Sequence, residues 1–285
     1  MPPASPCDIG IVFALGAEQG GTEDLLTELE YFEAAGFKVR RGMYRPPEGV
    51  AKPAVSAVER TVVLITSGVG SAAAARATEA LIDGHRPEWI ISAGFCGGLV
   101  PQAARSEIVA ADALVDHADW TPVVRRHLAK AASAGAPAAK HVGPVVTVDK
   151  IIAKSADKQA LGAASGAIAC EMESAGVAEV CFRRGVQFLV LRAVSDPVGE
   201  DLPSDLEPLM KQKNAVGTFG AVVGALWRRP GSVKDMLRLQ EHALATGDAL
   251  AKHLASVIEK LPLLRRQSLA DRAHETPDDA AEESS

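Results

Sequence analysis

The chain has 285 residues, 47% of them apolar and only 4% aromatic, with a formal net charge of −6. That length suits one or two domains with an ample core packed largely by alanine and valine, and the acidic balance argues against broad nucleic-acid binding, which uses clustered positive charge. The four cysteines, at 7, 96, 170 and 181, include no CxxC pair, which argues against a zinc site or a disulfide scaffold and fits a reducing, cytoplasmic compartment; the first residues lack a secretory pattern, and no apolar run approaches the roughly eighteen residues of a membrane span.

Residues 9–15 (IGIVFAL) are a β-branched run that predicts a strand, ended by Gly16. Glu18 follows at a place where an acid opening a helix would complement the helix dipole. Residues 22–36 read as a helix stopped by glycine, residues 38–44 as a short strand, and residues 45–49 (RPPEG) as a turn. Residues 61–66 predict a buried strand, followed by Ser67-Gly68-Val69-Gly70-Ser71 and an alanine-rich helix. A GxG between strand and helix turns backbone N–H groups toward an anion. The third glycine and the distal acid of a dinucleotide fingerprint are missing, so the glycines are read as close strand–helix packing or the edge of a ribose or phosphate site.

Residues 89–98 (WIISAGFCGG) read as a strand entering a glycine-rich bend, and residues 108–115 as another strand. Cys96 has no basic neighbour in sequence to lower its pKa and is read as a small buried hydrophobe. Asp116-His117-Ala118-Asp119 lacks a second pair of ligands elsewhere and is read as a solvated loop, so no metal is assigned; His117 remains a candidate for lining a pocket.

The organising stretch is residues 170–205. Met172, Ala175, Gly176 and Val180 recur at helical spacing, and Gly185 supplies the stop. Residues 188–194 are a short, mostly apolar run, as expected of a strand buried on both faces. Arg192 interrupts it, and a buried guanidinium needs a partner. The run ends abruptly in Ser195-Asp196-Pro197. Ligand crevices in open α/β sheets lie beyond the carboxyl ends of the strands, which places Asp196 at a crevice mouth, with Glu171 and Glu173 on the helix alongside.

Residues 219–227 and 232–261 read as helices parted by Pro230-Gly231, the second amphipathic through Met236, Leu239, Ala243, Leu250 and Leu254. Residues 265–285 hold three basic and six acidic side chains and few apolar ones. Such a segment cannot offset its ordering entropy by burial, so it is read as a disordered tail.

Glu171-Met172-Glu173, followed about twenty residues later by Arg192-Ala193-Val194-Ser195-Asp196, resembles the nucleoside phosphorylase and nucleosidase superfamily. The likeness is closest to the methylthioadenosine/S-adenosylhomocysteine nucleosidases and their neighbours, the hopanoid-associated phosphorylases. The resemblance implies an α/β catalytic domain over residues 8–262, with residues 263–285 as an acidic tail. Its core would be a central mixed, largely parallel sheet flanked by helices in three αβα layers. The resemblance assigns the ribose hydroxyls to Glu173 and protonation of the departing purine to Asp196. IGIVFALGAE matches the place of a water-activating glutamate, which is Glu18. WIISAGFCGG is similar to a loop whose backbone lies against the nucleoside, adding Phe95, Cys96 and Gly97. Residues 143–152 (GPVVTVDKII) resemble the segment over the base and 5′-substituent, with Ile151 where an aromatic is common. Met172, Glu171 and Ser195 complete the implied substrate-binding set. Ala156-Asp157-Lys158 and Leu226-Trp227-Arg228-Arg229-Pro230-Gly231 are nearer to the hopanoid-associated phosphorylases.

The chemistry needs such residues. Breaking an N-glycosidic bond requires an acid for the leaving base and a carboxylate near a sugar that develops oxocarbenium character. A further carboxylate can orient water. On the residues alone, Asp196 is equally an Asx turn and Glu173 or Glu18 a helix-opening acid. Two rivals stay open: a phosphorylase, for which Arg192, Arg60 or an arginine lent by a second subunit could complete a phosphate site, since neither glycine loop holds an arginine, and a nucleoside-binding module without efficient chemistry. No cofactor is implied. The expected partners are a small-molecule nucleoside and further copies of the chain in a homodimer or larger assembly, with no nucleic acid and no membrane span.

Overall fold

The computed structural model describes residues 6–46, 59–116, 139–202 and 233–263, with the side chains of residues 116 and 233–240 excepted. In chain order the elements are β1 (Ile9–Phe13), α1 (Gly16–Glu23), β2 (Leu26–Ala34), β3 (Phe37–Tyr44), β4 (Arg60–Thr66), α2 (Ser71–His85) and β5 (Trp89–Gly98). They continue as β6 (Ile108–Asp116), β7 (His141–Thr147), α3 (Ser155–Ser165), β8 (Ala169–Glu171), α4 (Ser174–Arg184), β9 (Gln187–Asp196) and α5 (Val233–Lys260).

All nine strands join one sheet in the order β2-β3-β4-β1-β5-β8-β7-β6-β9, and β9 pairs back onto β5. Strands β5, β8, β7, β6 and β9 therefore form a closed, barrel-like ring, from which β1, β4, β3 and β2 extend as a wing. The expected α/β fold with a mixed sheet and flanking helices is present. The sheet also closes on itself, which the expectation did not include, because β6 returns antiparallel onto β9 at Ile108–Ala110 while β9 runs parallel to β5.

β5 positions everything else. One of its edges is filled by β9 from Trp89 to Gly97. Its other edge is shared: β1 covers Trp89–Ser92, and β8 covers only Gly97 and Gly98. Between those two partners the backbone of β5 has an open edge, and the crevice lies there. The predicted glycine-rich bend is strand throughout, with a single register shift between Cys96 and Gly97.

β1 is buried along its whole length, as a β-branched run covered on both faces must be. On one face of the sheet, Ala74, Ala77, Leu81 and Ile82 of α2 and Val177, Val180 and Cys181 of α4 share a core with Val12, Val63, Ile90 and Val190. On the other, Leu250, Leu254, Val257 and Ile258 of α5 pack on Ile9, Ile11, Leu64, Ile91 and Leu189. Leu161 of α3 sits in a third cluster with Leu99, Val146, Val148 and Cys170. Among the described residues no helix is long and apolar enough to cross a membrane.

The helix expected over 22–36 is instead the end of α1 and the edge strand β2. An extra residue bulges from β2 between Thr27 and Glu30, where Glu28 takes φ 55°. The bulge breaks strand alternation and spaces the apolar residues three or four apart, which imitates a helix face. In the fold, Leu25 and Leu29 pack against one core cluster and Phe32 and Ala34 against the other.

Candidate active site

Three buried acids make up the candidate site, each delivered by a different element. Glu18 lies in the first turn of α1 and is buried rather than solvated. Its Oε2 accepts the Ala14 and Leu15 N–H groups at 3.1 and 2.9 Å, and its Oε1 accepts the Phe95 N–H at 2.8 Å. The Phe95 amide faces the open edge of β5, so Glu18 takes the place of a missing strand. A Cβ on Gly94 would lie 2.8 Å from Glu18 Oε1, so only glycine lets the carboxylate rest on that strand. Burial pushes the Glu18 carboxyl above its ordinary value, opposed by the three amides and by Arg192. A carboxylate offers about four lone-pair directions, and three donors leave room for one more, such as a water.

The second acid belongs to a charged knot. Glu171 is the last residue of β8, not a helix residue, and Glu173 is the N-cap of α4. Arg192, fully buried in β9, donates to Glu171 Oε2 at 2.5 Å, Ser174 Oγ at 2.8 Å and Ser92 Oγ at 2.9 Å. Glu171 Oε2 also accepts the N–H groups of Glu173 and Ser174, and Thr147 Oγ donates to Oε1 at 2.5 Å. Arg192 thus has the partner its position demands. Burial alone would keep Glu171 protonated, but Arg192 and these donors hold it below the usual carboxylate range. Both Glu171 oxygens face this knot, so its geometry is that of a support for the N-terminus of α4.

Glu173 points instead to the glycine loop after β4. The Gly70 N–H donates to its Oε1 at 2.9 Å, so the glycine loop after β4 presents its amide to a side-chain carboxyl. That approach requires α2 and α4 to touch at their starts: a Cβ on Gly176 would lie 2.0 Å from Ser71 O. Burial, then the ionised Glu171 and Glu18, raise Glu173 to about 8. The Met172 N–H contacts its Oε2 at 3.3 Å.

Asp196 closes β9 and is buried. Its Oδ2 lies 2.6 Å from Lys158 Nζ, and its Oδ1 lies 2.5 Å from Ser195 Oγ, which is itself 3.2 Å from the Cys96 carbonyl. A hydroxyl has one hydrogen and can both donate and accept. Ser195 can donate to an ionised Asp196, or accept from a protonated one while donating to Cys96. Burial raises the Asp196 carboxyl above its ordinary value, with Lys158 the main opposition. Gly97 lies directly against it: a Cβ there would be 3.2 Å from Asp196 Oδ2. The Cys96 and Cys170 thiols are buried and pushed up, Cys170 to about 12, and so are neutral neighbours.

Glu18, Asp196 and Ser195 therefore lie against Phe95, Cys96 and Gly97 at the end of β5, while Glu173 reaches the glycine loop after β4 and Met172 packs on the third cluster. Ile151 lies half-buried in the loop after β7. His117 and residues 226–231 lie outside the described residues. Sequence reasoning missed Thr147, Ser92, Ser174 and Lys158, whose roles arise from partners 18 to 100 residues away. The one available signal was the likeness of Ala156-Asp157-Lys158 to the hopanoid-associated phosphorylases, which assigned Lys158 no role.

The sequence profile of the phosphorylase superfamily matches residues 8–227. The chain belongs to that superfamily. Within the phosphorylase superfamily it is similar to the 5′-methylthioadenosine/S-adenosylhomocysteine nucleosidase of Marinomonas sp. (strain MWYL1), at 31% identity over 176 residues, 53% of this chain and 75% of the relative. The namesake protein of Shewanella baltica (strain OS185) is 32% identical over 169 residues, 52% of this chain and 72% of its own. Among solved structures, the phosphorylase-superfamily fold is shared with the S. pneumoniae nucleosidase bound to a transition-state inhibitor, with TM-score 0.61 and 18% identity over 88% of this chain and 98% of that one. The Helicobacter pylori nucleosidase superposes with TM-score 0.62 at 20% identity, covering 89% and 98% of the two chains.

Proposed function

We propose that this protein hydrolyses the N-glycosidic bond of an adenosine-type nucleoside carrying a 5′-substituent such as methylthio or homocysteinyl, releasing adenine. The relatives named above are nucleosidases, and the three buried acids supply what the reaction needs. Asp196, in a desolvated site that strengthens its hold on a proton, acts as the acid for the departing base. Glu173 holds the ribose hydroxyls. Glu18 orients a water and takes its proton as the water attacks the sugar carbon.

One observation favours water over phosphate as nucleophile. The amides of Ala14, Leu15 and Phe95 converge as an anion-binding nest would, and the carboxylate of Glu18 already occupies it. The arginines left open by the sequence are committed elsewhere: Arg192 to Glu171, and Arg60 to the Glu259 carbonyl at the end of α5. A phosphate dianion beside Glu18 would meet a second negative charge rather than a guanidinium.

The substrate class is tested by base release. 5′-Methylthioadenosine and S-adenosylhomocysteine should both yield adenine, and uridine should yield no free base. Equal turnover of uridine, or no turnover of either purine substrate, would sink the proposal.

A further inference from the structure

Lys158 is the largest feature of the crevice that the proposed chemistry leaves unused. It projects from α3 and is fully buried. Besides Asp196 Oδ2, its ammonium meets the carbonyls of Glu200, Pro197 and Asp196 at 2.9, 3.2 and 3.5 Å. A buried ammonium with no counter-charge is costly, and Asp196 is the carboxylate within reach. Other charges nearby are already matched: Arg105, in the turn before β6, binds Glu200 and the Ser195 carbonyl, and Lys154 binds Asp201. The thiols of Cys96 and Cys170, on β5 and β8, are neutral. Its three N–H donors thus face four acceptors, three of them carbonyls of the Asp196–Glu200 turn.

We propose that Lys158 is a positioning residue that sets the acid strength of Asp196, by fixing its carboxyl against the Asp196–Glu200 turn and stabilising the anion left when the proton moves to the base. This rests on the nucleosidase reading above. The balance is simple: the proton passes from Asp196 to the leaving base as the C–N bond breaks, Asp196 becomes an anion, and the adjacent ammonium is unchanged. Burial strengthens the hold of Asp196 on a proton, and the Lys158 ammonium beside it weakens that hold.

The test is the pH dependence of kcat/KM for adenine release in wild type, Lys158→Gln and Lys158→Met, each confirmed folded by its melting curve. Glutamine keeps N–H donors for the carbonyls and removes the charge; methionine removes both. An opposite charge at this range lowers a carboxyl pKa by about 1–3 units. Its loss should therefore move the alkaline limb up by about 1–3 pH units while plateau kcat falls about tenfold, because a weaker acid protonates the base more slowly. Lys158→Arg, which keeps the charge, should leave the limb in place. A lowered kcat with an unmoved limb in Lys158→Gln would make Lys158 only a clamp for the turn and overturn the proposal. Absence of adenine release by wild type would instead refute the nucleosidase reading itself.

Discussion

At the scale of single residues, Asp196 illustrates how one side chain can be both identified and misjudged from its neighbours in sequence. Its place at the end of a buried strand is visible in the text of residues 188–197, because an apolar run that stops at Ser-Asp-Pro marks a strand end. Its environment is not, since Lys158 lies 38 residues away and is brought in by α3. Asp196→Asn should lower kcat for adenine release by about 10²–10⁴-fold, the usual contribution of a general acid, while nucleoside affinity changes by less than about tenfold. The amide also alters the short contact with the Lys158 ammonium, so the melting temperature should fall as well. Calorimetry and single-turnover kinetics on the same preparation check both. Retention of most of the wild-type kcat would remove Asp196 from the role of acid.

At the scale of elements, the meeting of α4 with β8 and β9 gathers Glu171, Glu173 and Arg192, and legibility there was uneven. The Glu-Met-Glu text pointed to the superfamily, and the demand of Arg192 for a partner was stated by its position in an apolar strand. The division of labour between the two glutamates was hidden. It depends on the chain leaving β8 at Glu171 and capping α4 at Glu173, which turns one carboxyl toward Arg192 and the other toward the Gly70 amide. The edge strand β2 shows the opposite failure, in which a bulge produced helical spacing without a helix. A pH measurement tests the Glu173 assignment. An acid whose pKa rises on folding binds more protons folded than unfolded, so its contribution to stability declines as pH rises. For Glu173 that decline runs from its ordinary value of 4.5 to about 8 and levels off above. Glu18 and Asp196 act in the same direction, so the difference between proteins is the quantity to read. The melting temperature of Glu173→Gln should fall less than that of wild type between pH 5 and pH 9, in values chosen to bracket the shift. Parallel curves would show that Glu173 is not held protonated.

At the scale of the whole molecule, most of the strand runs and the burial of the central strands on both faces were legible, because both follow from local periodicity. Closure of the sheet was not. It depends on β6 pairing with β9 and on β1 and β8 sharing one edge of β5, and nothing in the local pattern of those segments names their partners. Yet the proposed chemistry depends on that parting: it leaves the Phe95 amide to donate to Glu18, which in the proposal fills the nest an anionic nucleophile would need. The most direct test of this account is the fate of 5′-methylthioadenosine in phosphate-free buffer and again with added phosphate, followed by adenine release and by ³¹P resonance of the sugar product. Hydrolysis predicts equal rates in both buffers, free methylthioribose in each, and a kcat reduced by about 10²–10⁴-fold in Glu18→Gln, whose amide cannot take a proton from water. A rate that depends on phosphate and a product carrying phosphate on the anomeric carbon would contradict it, leaving Glu18 as a structural carboxylate.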